Sequence, residues 1–146
     1  MVRTEIQADI ALDPIQVYEF LVDFESLPKY NSAVSEVRHL NKTDSPKSGD
    51  RFEIMVDFGI KKFRTEYSII ELIPNQKIVA SASTKDLKFT DQYIFEPTPS
   101  GTKIRIIDET ELFGLLSFSE LLLGPIMKTQ MNANLNTLLQ VLASHF

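Results

Sequence analysis

The side chains in this chain best placed to do chemistry are two aspartates, Asp91 and Asp108. Leu87, Phe89, Asp91, Tyr93 and Phe95 alternate with more polar neighbours, and so do Ile104, Ile106, Asp108, Thr110 and Leu112. Both runs read as strands with one buried face. A turn pairing Phe95 with Ile104 sets Tyr93 opposite Ile106 and Asp91 opposite Asp108, all on one side. Two carboxyl groups facing each other in apolar surroundings repel, and loss of water raises the pKa of at least one. That group would stay protonated near neutral pH, as a general acid or as a hydrogen-bond donor to a ligand. Tyr67 is the third candidate acid–base group, and Thr65, Thr84 and Thr110 are further polar side chains expected inside. The competing reading is a bulge that turns Asp108 outward, or a wet cavity mouth.

Other chemistry is poorly represented. HExxH, GxSxG, GxxxxGK and GxGxxG patterns are absent. His39 falls in an expected edge strand and His145 in the last turn of the last helix, where solvated or helix-end histidines are the rule. No acidic cluster accompanies either, so neither a metal nor a cofactor is expected. Zero cysteines remove disulfides, thiolate metal sites and cysteine nucleophiles. A net charge of −5 argues against nucleic acid as a partner. No basic segment followed by an apolar run opens the chain. The most apolar stretch, Leu112–Met127, is interrupted by Gly114, Glu120 and Gly124-Pro125 and is too short to span a bilayer. A cytoplasmic protein is expected, and 146 residues fit one domain over 1–146.

The elements that must position the aspartates follow in order. Val2, Thr4, Ile6, Ala8 and Ile10 alternate as a strand. Asp13 then caps a helix, with Pro14 in its first turn and Gln16 closing a capping box. Val17, Phe20, Leu21 and Phe24 give that helix one buried face, and Pro28 limits it, with one more turn expected near Tyr30. From Val34 to Leu112 the pattern is strands and tight turns. Gly59-Ile60 is read as a hairpin turn that pairs Val56 with Phe63, Ile54 with Thr65 and Phe52 with Tyr67. Pro74-Asn75, Lys85-Asp86 and the loop Pro97–Gly101 supply the later turns. Gly124-Pro125 starts the last helix, whose apolar stripe runs Met127, Met131, Leu135, Leu138, Leu142, Phe146, with Ile126 and Leu139 beside it. Asn132, Asn136, Gln140 and Ser144 form the opposite, polar stripe. One strand, two short helices, six antiparallel strands and a long helix add up to an α+β domain. Its curved antiparallel sheet of about seven strands wraps around the C-terminal helix.

Three stretches carry a family likeness. They are Ile10–Asp23 with Leu27-Pro28-Lys29-Tyr30, then Tyr93–Pro97 followed by Gly101–Ile104, and the C-terminal helix. Together they resemble the START-like (SRPBCC) superfamily with its helix-grip fold, over essentially the whole chain, and most of all its polyketide cyclase/dehydrase and lipid-transport group. That resemblance implies a deep apolar cavity between sheet and helix that holds a hydrophobic small molecule. It does not fix a reaction.

The inward faces name the expected wall: Phe52, Ile54, Val56, Phe63, Thr65 and Ile69, then Ala82, Phe89, Tyr93, Ile106 and Thr110, with Met127, Met131 and Leu135 from the helix. Alone, such a set describes any half-buried sheet. Combined with the resemblance, it describes the lining of a pocket. Leu115–Leu123 is more apolar than one buried face needs, and is read either as a packed segment or as a lid, dimer contact or transient membrane contact. Three functions compete. The first is binding or transport of a lipid, isoprenoid or polyketide-like compound. The second is a cyclase or dehydratase using Asp91, Asp108 and Tyr67, and the third is a protein-interaction module. The pattern leaves monomer and dimer both open.

Overall fold

A computed structural model describes residues 1–42, 44–57 and 62–146. The Gly59-Ile60 turn and Phe58 lie outside the described residues. The elements are β1 (Val2–Ile10), α1 (Pro14–Val22), a 3-10 helix (Phe24–Lys29), β2 (Val34–His39), β3 (Arg51–Asp57), β4 (Lys62–Ile73), β5 (Lys77–Ser83), β6 (Leu87–Thr98), β7 (Gly101–Leu112), a second 3-10 helix (Gly114–Ser119) and α2 (Glu120–His145). The strands form one seven-stranded sheet in the order β1-β7-β6-β5-β4-β3-β2, antiparallel throughout. This is the helix-grip architecture, with the long helix against the concave face.

The registers follow from which residues must face inward. Val56 meets Phe63, Ile54 meets Thr65 and Phe52 meets Tyr67. Phe95 meets Ile104, Tyr93 meets Ile106 and Asp91 meets Asp108, and the β6–β7 ladder has no bulge along its length. A one-residue slip would turn every apolar side chain on a strand to the wrong face, so burial fixes the pairing. The β6–β7 turn is tighter than the expected Pro97–Gly101 loop, because the strands run on to Thr98 and resume at Gly101. Gly101 is required there. It sits at φ +151°, and a Cβ would come within 2.1 Å of the Ile10 carbonyl oxygen where β1 leaves the sheet. Thr84 is in the β5–β6 turn instead of on the inner face, with Oγ1 accepting from the Asp86 and Leu87 N–H groups.

Helix α1 starts as its residues dictate, with Pro14 at its first position and the Asp13 N–H donating to Gln16 Oε1 at 3.3 Å. It ends at Val22, and Phe24–Lys29 continues as a 3-10 turn that packs on β2. Phe24 leads a row of rings across the inner sheet: Phe24 and Phe52 are 5.1 Å apart, Phe24 and Tyr67 5.2 Å, Tyr67 and Phe89 5.6 Å. His39 is not solvated as expected. β2 is an edge strand, yet alternation points this ring inward opposite Phe52, on which it stacks at 4.2 Å. Its Nε2 lies 3.8 Å from Asp50 Oδ2, beyond hydrogen-bond reach, in a place where both side chains are largely buried.

Helix α2 departs from expectation at its start. It begins at Glu120, a turn before Gly124-Pro125, with Pro125 inside. The lost hydrogen bond would have gone to the carbonyl of Leu121, an exposed residue, where water substitutes. Leu123, Met127, Leu135, Leu138 and Leu142 are buried, Met131 and Leu139 half-buried, and the Asn132–Ser144 stripe faces solvent. Ile126 and Phe146, assigned to the apolar side, are 46% and 50% exposed. Ile126 sits one residue off the stripe, and Phe146 follows the last helical turn with its ring against His145.

Leu115–Leu123 is not a packed segment. Leu115, Phe118, Leu121 and Leu122 are 89%, 83%, 92% and 70% exposed, whereas Leu123 is buried. Glu120 ties the segment down: its carboxylate accepts from the Leu112 N–H at 3.0 Å and from the Met1 ammonium at 3.2 Å. Two neighbouring leucines should therefore behave oppositely. Leu123→Ala should cost about 2–5 kcal/mol in chemical unfolding, the usual range for a buried leucine. Leu121→Ser should stay within about 0.5 kcal/mol. Equal losses at the two positions would show that the apolar segment is covered in solution.

Candidate functional site

The sheet curves away from α2, which packs closely along β1. A single helix does not fill the concave face, and a cavity remains. Its volume is about 100 Å³. That is room for several water molecules, more than the small voids of a close-packed core.

Most of the wall is apolar. Of the residues expected there, Ile54, Val56, Phe89, Tyr93 and Ile106 line it from the sheet, and Met127, Met131 and Leu135 from α2. The acid–base candidates Tyr67, Asp91 and Asp108 line it as well. The other expected residues lie in the packed surroundings. Phe52 is sandwiched by Phe24 and His39. Ile69 and Ala82 are buried in the core, and Phe63 is half-buried against it. Thr65 is buried. Thr110 stands behind the wall and donates its hydroxyl hydrogen to Asp108 Oδ1.

The polar end of the cavity is built by β4, β6 and β7 together. The Tyr67 hydroxyl donates to Asp91 Oδ2 at 2.7 Å. Burial pushes the Asp108 carboxyl well above the usual carboxylate range. Asp91 reinforces this by charge and by a shared hydrogen bond, and the Thr110 bond opposes it. Asp108 therefore holds its proton more readily than an ordinary carboxyl. Tyr67 and Tyr93 are likewise pushed well above the ordinary phenol range, first by burial, with Asp91 adding to it. Tyr30 is raised for the same reasons. The end of the pocket thus sets phenol O–H groups beside two carboxyls.

The sequence reading missed Ile6, Leu27, Tyr30, Ala33, Val34 and Leu138, and a set of amides at the mouth. Asn134 Oδ1 accepts from the Ser32 N–H and Oγ, both at 3.2 Å, and its Nδ2 donates to Asn31 Oδ1 at 3.1 Å. Gln130 Nε2 donates to Ser32 Oγ at 3.4 Å. These bonds fasten α2 to the loop before β2, across the opening. A signal was available: Gln130 and Asn134 fall at i+3 and i+7 from Met127, on the buried face and not the solvated stripe. Two polar residues in an apolar stripe call for partners.

No protein of curated function matches the chain. Among solved structures, it superposes on TTHA0849 from Thermus thermophilus with a TM-score of 0.79 at 19% identity, covering 99% of this chain and 97% of that one. A START superfamily protein from Mycobacterium smegmatis gives 0.71 at 14% identity, with 98% and 95% coverage. The Zhui aromatase/cyclase from Streptomyces sp. R1128 gives 0.73 at 10% identity, with 98% and 92% coverage. At such identities these likenesses establish the fold. The family described as polyketide cyclase / dehydrase and lipid transport matches residues 1–146. With that match over its whole length and a sheet that grips a long helix around a pocket, this chain belongs to the polyketide cyclase/dehydrase and lipid-transport family.

Proposed function

We propose that this protein binds a hydrophobic small molecule in the cavity between its sheet and α2, and carries or presents it. The observation behind this reading is the cavity itself, a mostly apolar wall with its polar groups gathered at one place. The ligand's apolar body would lie against Ile54, Val56, Phe89, Ile106, Met127, Met131 and Leu135, and its polar end against Asp91, Asp108, Tyr67 and Tyr93. Methionines on the helix side of such a wall adapt to more than one shape. A family described by lipid transport and by cyclases agrees with this chemistry. The exposed Leu115–Leu123 segment would serve as the contact through which an apolar cargo is taken up.

A second reading draws on the shared proton. Asp91 could take a proton from the carbon beside a ligand carbonyl, while Asp108 gives its proton to a hydroxyl leaving from the next carbon. A double bond forms, water departs, and the proton balance within the pair is preserved. That is dehydratase chemistry with Tyr67 holding Asp91 in place. It is tested by incubating the protein with a simple β-hydroxy ketone in deuterated water. Deuterium entering beside the carbonyl at least tenfold faster than with Asp91→Asn supports it, and equal rates in the two proteins exclude it.

Binding is tested with the neutral dye Nile red. Tyrosine supplies the intrinsic emission, because the chain has no tryptophan, and Tyr30, Tyr67 and Tyr93 face the pocket. Titration should raise dye emission and change tyrosine emission together. Ala33→Phe, which narrows the mouth without adding a tryptophan, should weaken both responses at least tenfold with little change in melting temperature. A dye response that survives Ala33→Phe would place binding elsewhere.

The protonated Asp108 also has a consequence for stability. In the unfolded chain this carboxyl loses its proton near pH 4, and in the folded protein at a higher pH. Between those values the folded state holds more protons, so this contribution to stability is lost as pH rises through the window. Asp108→Asn imitates the protonated form and should be more stable than the original protein at pH 8. The advantage should shrink towards pH 4, by at most about 1.4 kcal/mol per pH unit. Urea midpoints across this range decide it, and a variant less stable throughout would mean that Asp108 is ionised in the fold.

A further inference from the structure

We propose that the ligand accepted by this cavity buries a polar end that donates hydrogen bonds and carries no negative charge, such as an alcohol, a phenol or an amine, and that carboxylate-headed lipids are rejected. This rests on the binding function proposed above and narrows its ligand class.

The charge inventory of the wall carries the inference. Among the described lining residues, Asp91 and Asp108 are acidic, and none is lysine, arginine or histidine. The pocket amides Asn31, Gln130 and Asn134 bond to one another and to Ser32 at the mouth. Being neutral, they supply no charge to balance an anion. Asp91 receives the Tyr67 hydroxyl on Oδ2. A carboxylate has about four lone-pair positions, so Asp91 keeps acceptor capacity facing the space. An alcohol or amine head group can donate into it.

A fatty-acid head group would meet the opposite conditions. It would leave water, find no cation among these residues, and stand beside Asp91, where like charges interact far more strongly than in bulk solvent. Its alternative is to take up a proton, which at pH 8 opposes binding just as directly. An ammonium group is drawn to the same charge, and a hydroxyl is indifferent to it.

The test compares 1-decanol, decylamine and decanoate, equal in chain length, by calorimetric titration of the intact protein at pH 8. Decanol and decylamine should bind, and decanoate at least tenfold more weakly than decanol. Asp91→Asn should remove most of the decanoate deficit and weaken decylamine relative to decanol. Decanoate binding as tightly as decanol would mean that head groups stay at the mouth, away from Asp91, and would overturn the proposal. Failure of all three to bind a protein that remains folded by circular dichroism would instead remove the cavity function, and this inference with it. Should Asp91→Asn not fold, the ranking of the three compounds on the unmodified protein still decides.

Discussion

Two carboxyl groups held face to face by an unbroken hairpin repel one another in a space with apolar walls. The rest of the site depends on that constraint. Because β6 and β7 pair without a bulge, Asp91 and Asp108 have no local means of avoiding each other. Burial bears hardest on Asp108, the more deeply enclosed, while Asp91 accepts from the Tyr67 hydroxyl. The phenols of Tyr30, Tyr67 and Tyr93 are raised first by burial, and the neighbouring Asp91 adds to it. The result is a fixed arrangement of O–H groups around two carboxyls, organised before any ligand arrives.

The cavity exists because sheet and helix are mismatched in width. α2 buries its stripe closely along β1, where the sheet curls up to meet it, and bridges the remaining distance with side chains. Helix α1 and the 3-10 turn at Phe24–Lys29 help cover the fold's other apolar surfaces, and the ring row from Phe24 to Phe89 packs the sheet's inner face beside the pocket. Over the opening the contact changes character, from leucine and methionine packing to amide and hydroxyl hydrogen bonds between residues about a hundred positions apart. Such neutral bonds near solvent are each worth about 1 kcal/mol. They can break and re-form singly, so the opening is held by interactions weaker than the core beneath it.

Much of this was legible in the residues. Period-two alternation fixed the strands and, through the requirement for a common inner face, the pairing of Asp91 with Asp108 and of Phe52 with Tyr67. The Asp13-Pro14-Gln16 start of α1 could be read outright, because capping chemistry is local. The stripe of α2 was readable too, but its start was not. Pro125 reads as a first-turn residue, and only the preceding 3-10 turn and the anchoring of Glu120 to Leu112 and Met1 let the helix begin earlier. The 146-residue sequence by itself therefore determined the order of elements, their inner faces and the chemical pair at the centre. Tertiary structure alone decided which inward residues border empty space and which are packed solid, why His39 is covered, and why Leu115, Phe118, Leu121 and Leu122 remain bare. The physical reason is that periodicity reports the direction of a side chain, whereas cavity, contact and solvent depend on how far apart two separately folded surfaces come to rest.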